Sequence, residues 1–172
     1  MIELKKLSPE SISAALDKAK WYRLLNEPHE TESICLDILE ASPDHQEALI
    51  TLLLALTDSF YNELNRSFPM AQEVVGRIND QYCKAYYSGI IYERRAKAHL
   101  KQGAPGSGVI AYDWFMRALE SFDRAIKACG SHNQDALLRW NSCARIINAS
   151  PEVKPAEPDE TEMFLDSFDT PH

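Results

Sequence analysis

The 172-residue chain is 45% hydrophobic and 26% charged, with a formal net charge of −8 and a pI near 5.1. That length can enclose a real core, and the apolar share excludes wholesale disorder. The acidic balance counts against nucleic acid or an anionic membrane as a partner. The longest apolar run, residues 48–56, is far short of the roughly 20 residues that span a bilayer. The opening MIELKK lacks the basic-then-apolar order of an export signal. Cys35, Cys83, Cys129 and Cys143 lie far apart without C-x-x-C spacing, so reduced thiols in a soluble cytoplasmic protein are expected.

Ser8 and Pro9 open the first helical pattern, where a missing N–H costs nothing because first-turn donors are unpaired anyway. Over 10–25, Ile12, Ala15, Leu16, Ala19, Tyr22, Leu24 and Leu25 recur at helical spacing. Pro28 starts a second helix with Ile34, Cys35, Ile38 and Leu39 on its apolar stripe. Pro43 precedes a third, with Ser42 as its expected N-cap, as Ser8 is for the first. Residues 48–56 are apolar nearly all round, so other helices must surround them. Further helices are predicted over 69–79, opening at Pro69, and over 82–101, 109–129 and 132–148. Gly103, Gly106 and Gly108 mark a loop at 103–108. No segment alternates with period two for long, so no sheet is expected. Four of the nine prolines fall in the last 22 residues. The division expected is therefore a helical domain over 1–149 and an acidic, Pro-rich flexible tail over 150–172.

Ala15, Leu16, Ala19 and Tyr22 recur 34 positions later as Leu49, Ile50, Leu53 and Leu56. Ala19-Lys-Trp-Tyr22 and Gly89-Ile-Ile-Tyr92 share a small-x-x-Tyr element. Ala118-x3-Phe122 is followed by Ala125. On these residues the chain resembles the tetratricopeptide repeat (TPR) family, divergently and over roughly 9–148. The resemblance implies an all-α, right-handed helix-turn-helix solenoid of about seven antiparallel helices. Small residues would let paired helices approach while a ring fills the space beside them. The second unit departs from the family by a late second helix at Pro69, with Ala71 in the small position. The third departs by some 17 extra residues between Gly89 and Ala118. The last helix, bearing Leu137, Leu138, Trp140, Cys143, Ala144, Ile146 and Ile147, resembles a cap that closes the stack.

Signatures of chemistry are scarce. His29-Glu30 begins like a zinc-protease motif, but Ser33 stands where the second histidine belongs, and no histidine follows a glutamate by three. The 103–108 loop lacks the Gly-Lys-Ser/Thr ending of a phosphate cradle. Cys129, His132 and Cys143 lack a fourth metal ligand. No catalytic residue, cofactor or metal is assigned.

Binding is more legible. In a TPR-like stack the first helices of the units line the concave wall. That wall would present Lys20 and Arg23, then Ile50 and Leu54, then Tyr86, Ile90 and Glu93, and lastly Asn141. Such a groove suits an amphipathic helix or an extended peptide. The Lys/Asn/Arg carboxylate clamp of some family members is not matched, because Leu16 and Leu54 stand where polar residues are needed. Arg94, Arg95, Lys97 and Lys101 read as a solvated helix end complementing the dipole. The tail carries seven acids and one base, a net of −6, leaving −2 on the body. Within it Met163, Phe164, Leu165 and Phe168 form an apolar cluster like a docking motif. The expected function is a non-enzymatic adaptor for a protein or peptide partner, without nucleic acid or membrane. The alternative is a self-associating homodimer whose groove is filled by its own or a neighbour's tail.

Overall fold

The computed structural model describes residues 2–129 and 133–157; among them are seven α-helices and no strand. A 3-10 turn, Pro9–Ser11, leads into α1 (Ile12–Leu24). There follow α2 (Pro28–Ala41), α3 (Gln46–Asp58), α4 (Phe60–Gly76), α5 (Gln81–Gln102), α6 (Ser107–Ala128) and α7 (Asp135–Ala149). No helix among the described residues is long and apolar enough to cross a membrane.

Local chemistry explains most helix ends. Pro28 takes the first position of α2 as expected. Asp80 caps α5 through Oδ1, which accepts from the Cys83 N–H at 2.7 Å. That bond holds the Asp80 carboxyl below its ordinary range. Gly103 and Gly106, at φ of +64° and +77°, end α5 and start α6 in the left-handed region that side chains disfavour. Ser42 does not cap α3. It ends α2, and His45 caps α3 by accepting from the Ala48 N–H at 3.3 Å. Ser8 precedes the 3-10 turn without a side-chain cap bond, its hydroxyl meeting that of Ser11 instead.

The fourth helix differs most from expectation. It begins at Phe60 rather than Pro69, and Pro69 lies inside it. Helical geometry breaks only at Glu63 (φ −132°, ψ 36°), six residues upstream of the proline. Pro69 withholds the N–H that the Asn65 carbonyl would accept. Both residues are exposed, so water can serve that carbonyl. The buried face of Phe60, Phe68, Ala71 and Val74 holds the helix together across both irregularities.

Each helix packs chiefly on the next in sequence, while α1 also touches α3, and α3 touches α5. These three begin at residues 12, 46 and 81, and α1 and α3 are both 13 residues long. A first core, dominated by Leu49, Leu52, Leu53 and Leu56 with Ile38 and Phe60, lies among α1–α4 and reaches α5. A second, among α5–α7, is built from Ala96, Ala111, Ala118 and Ala125 around Phe115 and Phe122. Its helices approach so closely that a Cβ on Gly89 would stand 2.4 Å from the Phe122 ring. Past α7 the chain stays on the body. Val153 is buried in the second core, and the Glu152 carbonyl sits where a Cβ on Gly108 would be. The packed body thus runs beyond Ser150, where the proline content placed its end.

Buried polar groups tie neighbouring helices together. Thr31 donates to the Ala19 carbonyl at 3.2 Å, joining α2 to α1. Glu32, nearly buried on α2, takes both terminal nitrogens of Arg66 on α4. At the surface, the Arg77 guanidinium donates to the Pro43 carbonyl.

Candidate functional site

The ends of α1 and α3, the start of α4, the middle of α5 and the first half of α7 converge on a cleft of about 340 Å³. On α5, Glu93, Arg94, Lys97 and Lys101 lie one, three and four residues apart, which places them along one side of the helix. Asp58, the last residue of α3, accepts from Arg23 Nε at 2.8 Å and from Arg94 Nη1. The same Arg94 nitrogen donates to Thr57 Oγ1 at 2.8 Å. Glu93 is fully buried. Its Oε1 accepts from Lys97 Nζ and, at 3.2 Å, from Arg139 Nη1 on α7. Its Oε2 is buried and has no partner among the described residues.

Two carboxylates therefore each hold two bases, Glu93 from beneath and Asp58 at the same depth as its partners. Glu93 is 0% exposed, whereas Lys97 and Arg139 keep 31% and 37% of their side chains accessible. A buried carboxylate is costly unless cations and hydrogen bonds compensate. Here two cations do so, and the four bases outnumber the two acids by two charges. Burial works against the Arg139 charge, but the Glu93 carboxylate and Tyr86 outweigh it, so its pKa lies above the ordinary value. Burial and, secondarily, the Glu93 charge push the neighbouring Cys143 thiol up to about 12. Burial alone raises Cys35 to about 12. Neither thiol can supply a thiolate near neutral pH. All four cysteines are free.

Of the residues expected on the groove wall, Glu93 lies at the cleft but fully buried, and Arg23 reaches it only through its ion pair with Asp58. The others are placed differently. Lys20 pairs with Glu47 across α1 and α3. Ile50 is half-buried against the first core, and Leu54 packs against both cores. Tyr86 stacks on Tyr82 at 5.8 Å and meets Phe122 at 6.0 Å. Ile90, 1% exposed, belongs to the second core and not to a wall. Asn141 is half-buried on α7.

Asp58 and Arg139 were missed by sequence reasoning, and Arg94 and Lys97 were misread. The basic run on α5 is no solvated helix end: its members diverge. Arg94 and Lys97 pair into the cleft, and Lys101 lies over the Tyr61 ring at 4.2 Å. Arg95 turns away to sit between Phe68 and Trp114, 3.8 and 3.9 Å from their ring centres. Helical spacing alone separates 94, 97 and 101 from 95 and 99, and that was the available signal. Asp58 lies one residue beyond the 34-residue repeat of Arg23, a second overlooked signal. Arg139 had none.

No cluster of three or more His, Cys, Asp or Glu able to hold a metal occurs among the described residues. His132 of the candidate metal set lies outside them, as do Met163, Phe164, Leu165 and Phe168 of the tail motif. No protein-family model, curated protein or solved structure matches the chain.

Proposed function

We propose that this chain is a non-enzymatic adaptor that receives a peptide or helix of another protein in the cleft. In this reading α1–α6 stack as right-handed, TPR-like helix-turn-helix units, and α7 caps them. The starts of α1, α3 and α5 at near-equal intervals support it, as do the contacts α1 makes with α3, and α3 with α5. Two bridges between the first and second units support it too: Glu32 to Arg66 and the Pro43 carbonyl to Arg77 each join residues 34 apart. The observation that carries the function is that the turn after α1, the end of α3, the start of α4, the middle of α5 and the first half of α7 bring charged and polar residues to one cleft. That is where a stack of this kind presents a partner surface.

A photo-crosslinking residue placed at Tyr61, in the cleft, should capture a partner in the native cytoplasm. The same residue at Leu36, exposed on α2, should not. Equal labelling from both positions, or crosslinks only between copies of this chain, would refute the adaptor. One observation favours the homodimer: Trp21, Leu24 and Leu25 are exposed together at the end of α1. A mass that doubles with concentration, and reverts in Trp21→Ser, would select it.

A further inference from the structure

The cleft is unequal in what it has spent. Asp58 and Glu93 are each committed to two bases. The bases are not fully committed. Arg94 makes its contacts through Nη1 alone, and Lys97 uses one of three ammonium donors. Glu93 keeps Oε2 buried and unpartnered among the described residues, an arrangement that stabilises the fold poorly. What Glu93 does accomplish is to fix Lys97 and Arg139 side by side at the cleft, with their heads partly exposed. It is a positioning residue.

We propose that the adaptor's partner is an acidic peptide segment, whose carboxylates take the spare donors of Arg94, Lys97 and Arg139. The inference rests on the adaptor reading above and adds the chemistry of what is bound. The cleft lining carries three bases against two acids, a local cationic surplus on a body whose net charge is −2. An acidic segment is attracted to that surplus, which steers it to this position. A basic segment meets an Asp58 that already has two bases and a Glu93 that is fully buried, its remaining oxygen out of reach. Single-stranded RNA is held by successive aromatic faces for stacking, and the cleft offers the one exposed ring of Tyr61, with Lys101 already over one of its faces.

The test is fluorescence anisotropy on the full chain with synthetic peptides of about 12 residues, long enough to span the cleft as helix or strand. One alternates Glu with Leu, one Gln with Leu and one Lys with Leu; a uridine oligomer is the fourth probe. The Glu peptide should bind about tenfold tighter than the Gln peptide, and that advantage should fade between about 50 and 500 mM salt. In Arg94→Gln/Lys97→Gln each carboxylate keeps one base. This variant should lose about tenfold for the Glu peptide and nothing for the Gln peptide. If it fails to fold, the Glu-to-Gln ratio and its salt dependence in the unaltered chain still decide. Equal binding of Glu and Gln peptides, or tighter binding of the Lys peptide, overturns the acidic preference and leaves the adaptor standing. Binding of RNA alone, or of no probe, overturns both. Deleting residues 158–172, themselves acidic, should change nothing. A tenfold gain would make this chain's own end the occupant and overturn the proposal.

Discussion

The two cores solve the same packing problem with opposite materials. The first interdigitates leucines between helices of 13 to 17 residues. The second runs two 22-residue helices together on alanine and glycine and fills the remaining space with Phe115 and Phe122. Leucine side chains can shift rotamer to absorb a change. A backbone–ring contact such as Gly89 against Phe122 cannot. The second core is therefore the stiffer one, and α5, which carries Glu93, Arg94 and Lys97, is anchored in it.

Substitutions should separate the two. The largest effect is expected from Phe122→Ala, about 3–5 kcal/mol by urea denaturation, with Leu53→Ala in the first core at about 2–5 kcal/mol. Gly89→Ala should cost about 1–3 kcal/mol, and most of that cost should vanish in a Phe122→Ala background. An equal cost in both backgrounds would show that the ring is not what limits the site. Leu52→Met, a volume-conserving change in the leucine core, should cost less than about 1.5 kcal/mol.

Next is a pH effect near the end of α5, where His99 faces the first turns of α4. Burial, and then neighbouring Arg95, holds the His99 pKa below its ordinary 6.5. On acidification the unfolded chain takes up this proton before the folded one. The contribution is complete above about pH 6.5 and is lost as pH falls toward the lower folded value. His99→Asn should flatten the acid limb of the stability profile in that window, and an unchanged limb would count against the assignment. The smallest effect is expected from Lys20→Ala. It breaks an exposed pair with Glu47 and should move stability by no more than about 1 kcal/mol.

Apolar periodicity was enough to read the all-helical class and the glycines to read the Gly103–Gly106 connection, whereas the packing of small residues beside Phe122 was implied only by the family resemblance. Periodicity failed at α4 because a proline was taken as a helix start, whereas the buried face of Phe60, Phe68 and Ala71 carries the helix through it. Local rules weigh one residue, and burial weighs the whole face. The site was half legible for a related reason. Arg23 and Glu93 follow from register, but the partner that brings Arg139 to Glu93 lies 46 residues along the chain. Only packing of α7 on the body makes that pair.

Leu54, Tyr87, Tyr92 and Trp114 pack against both cores at once. Long helical arrays melt piecemeal because each unit leans only on its neighbours. Side chains shared in this way bind the two halves into a single cooperative unit. Heating should therefore give one calorimetric transition, with Trp114 emission changing in step with the loss of helix.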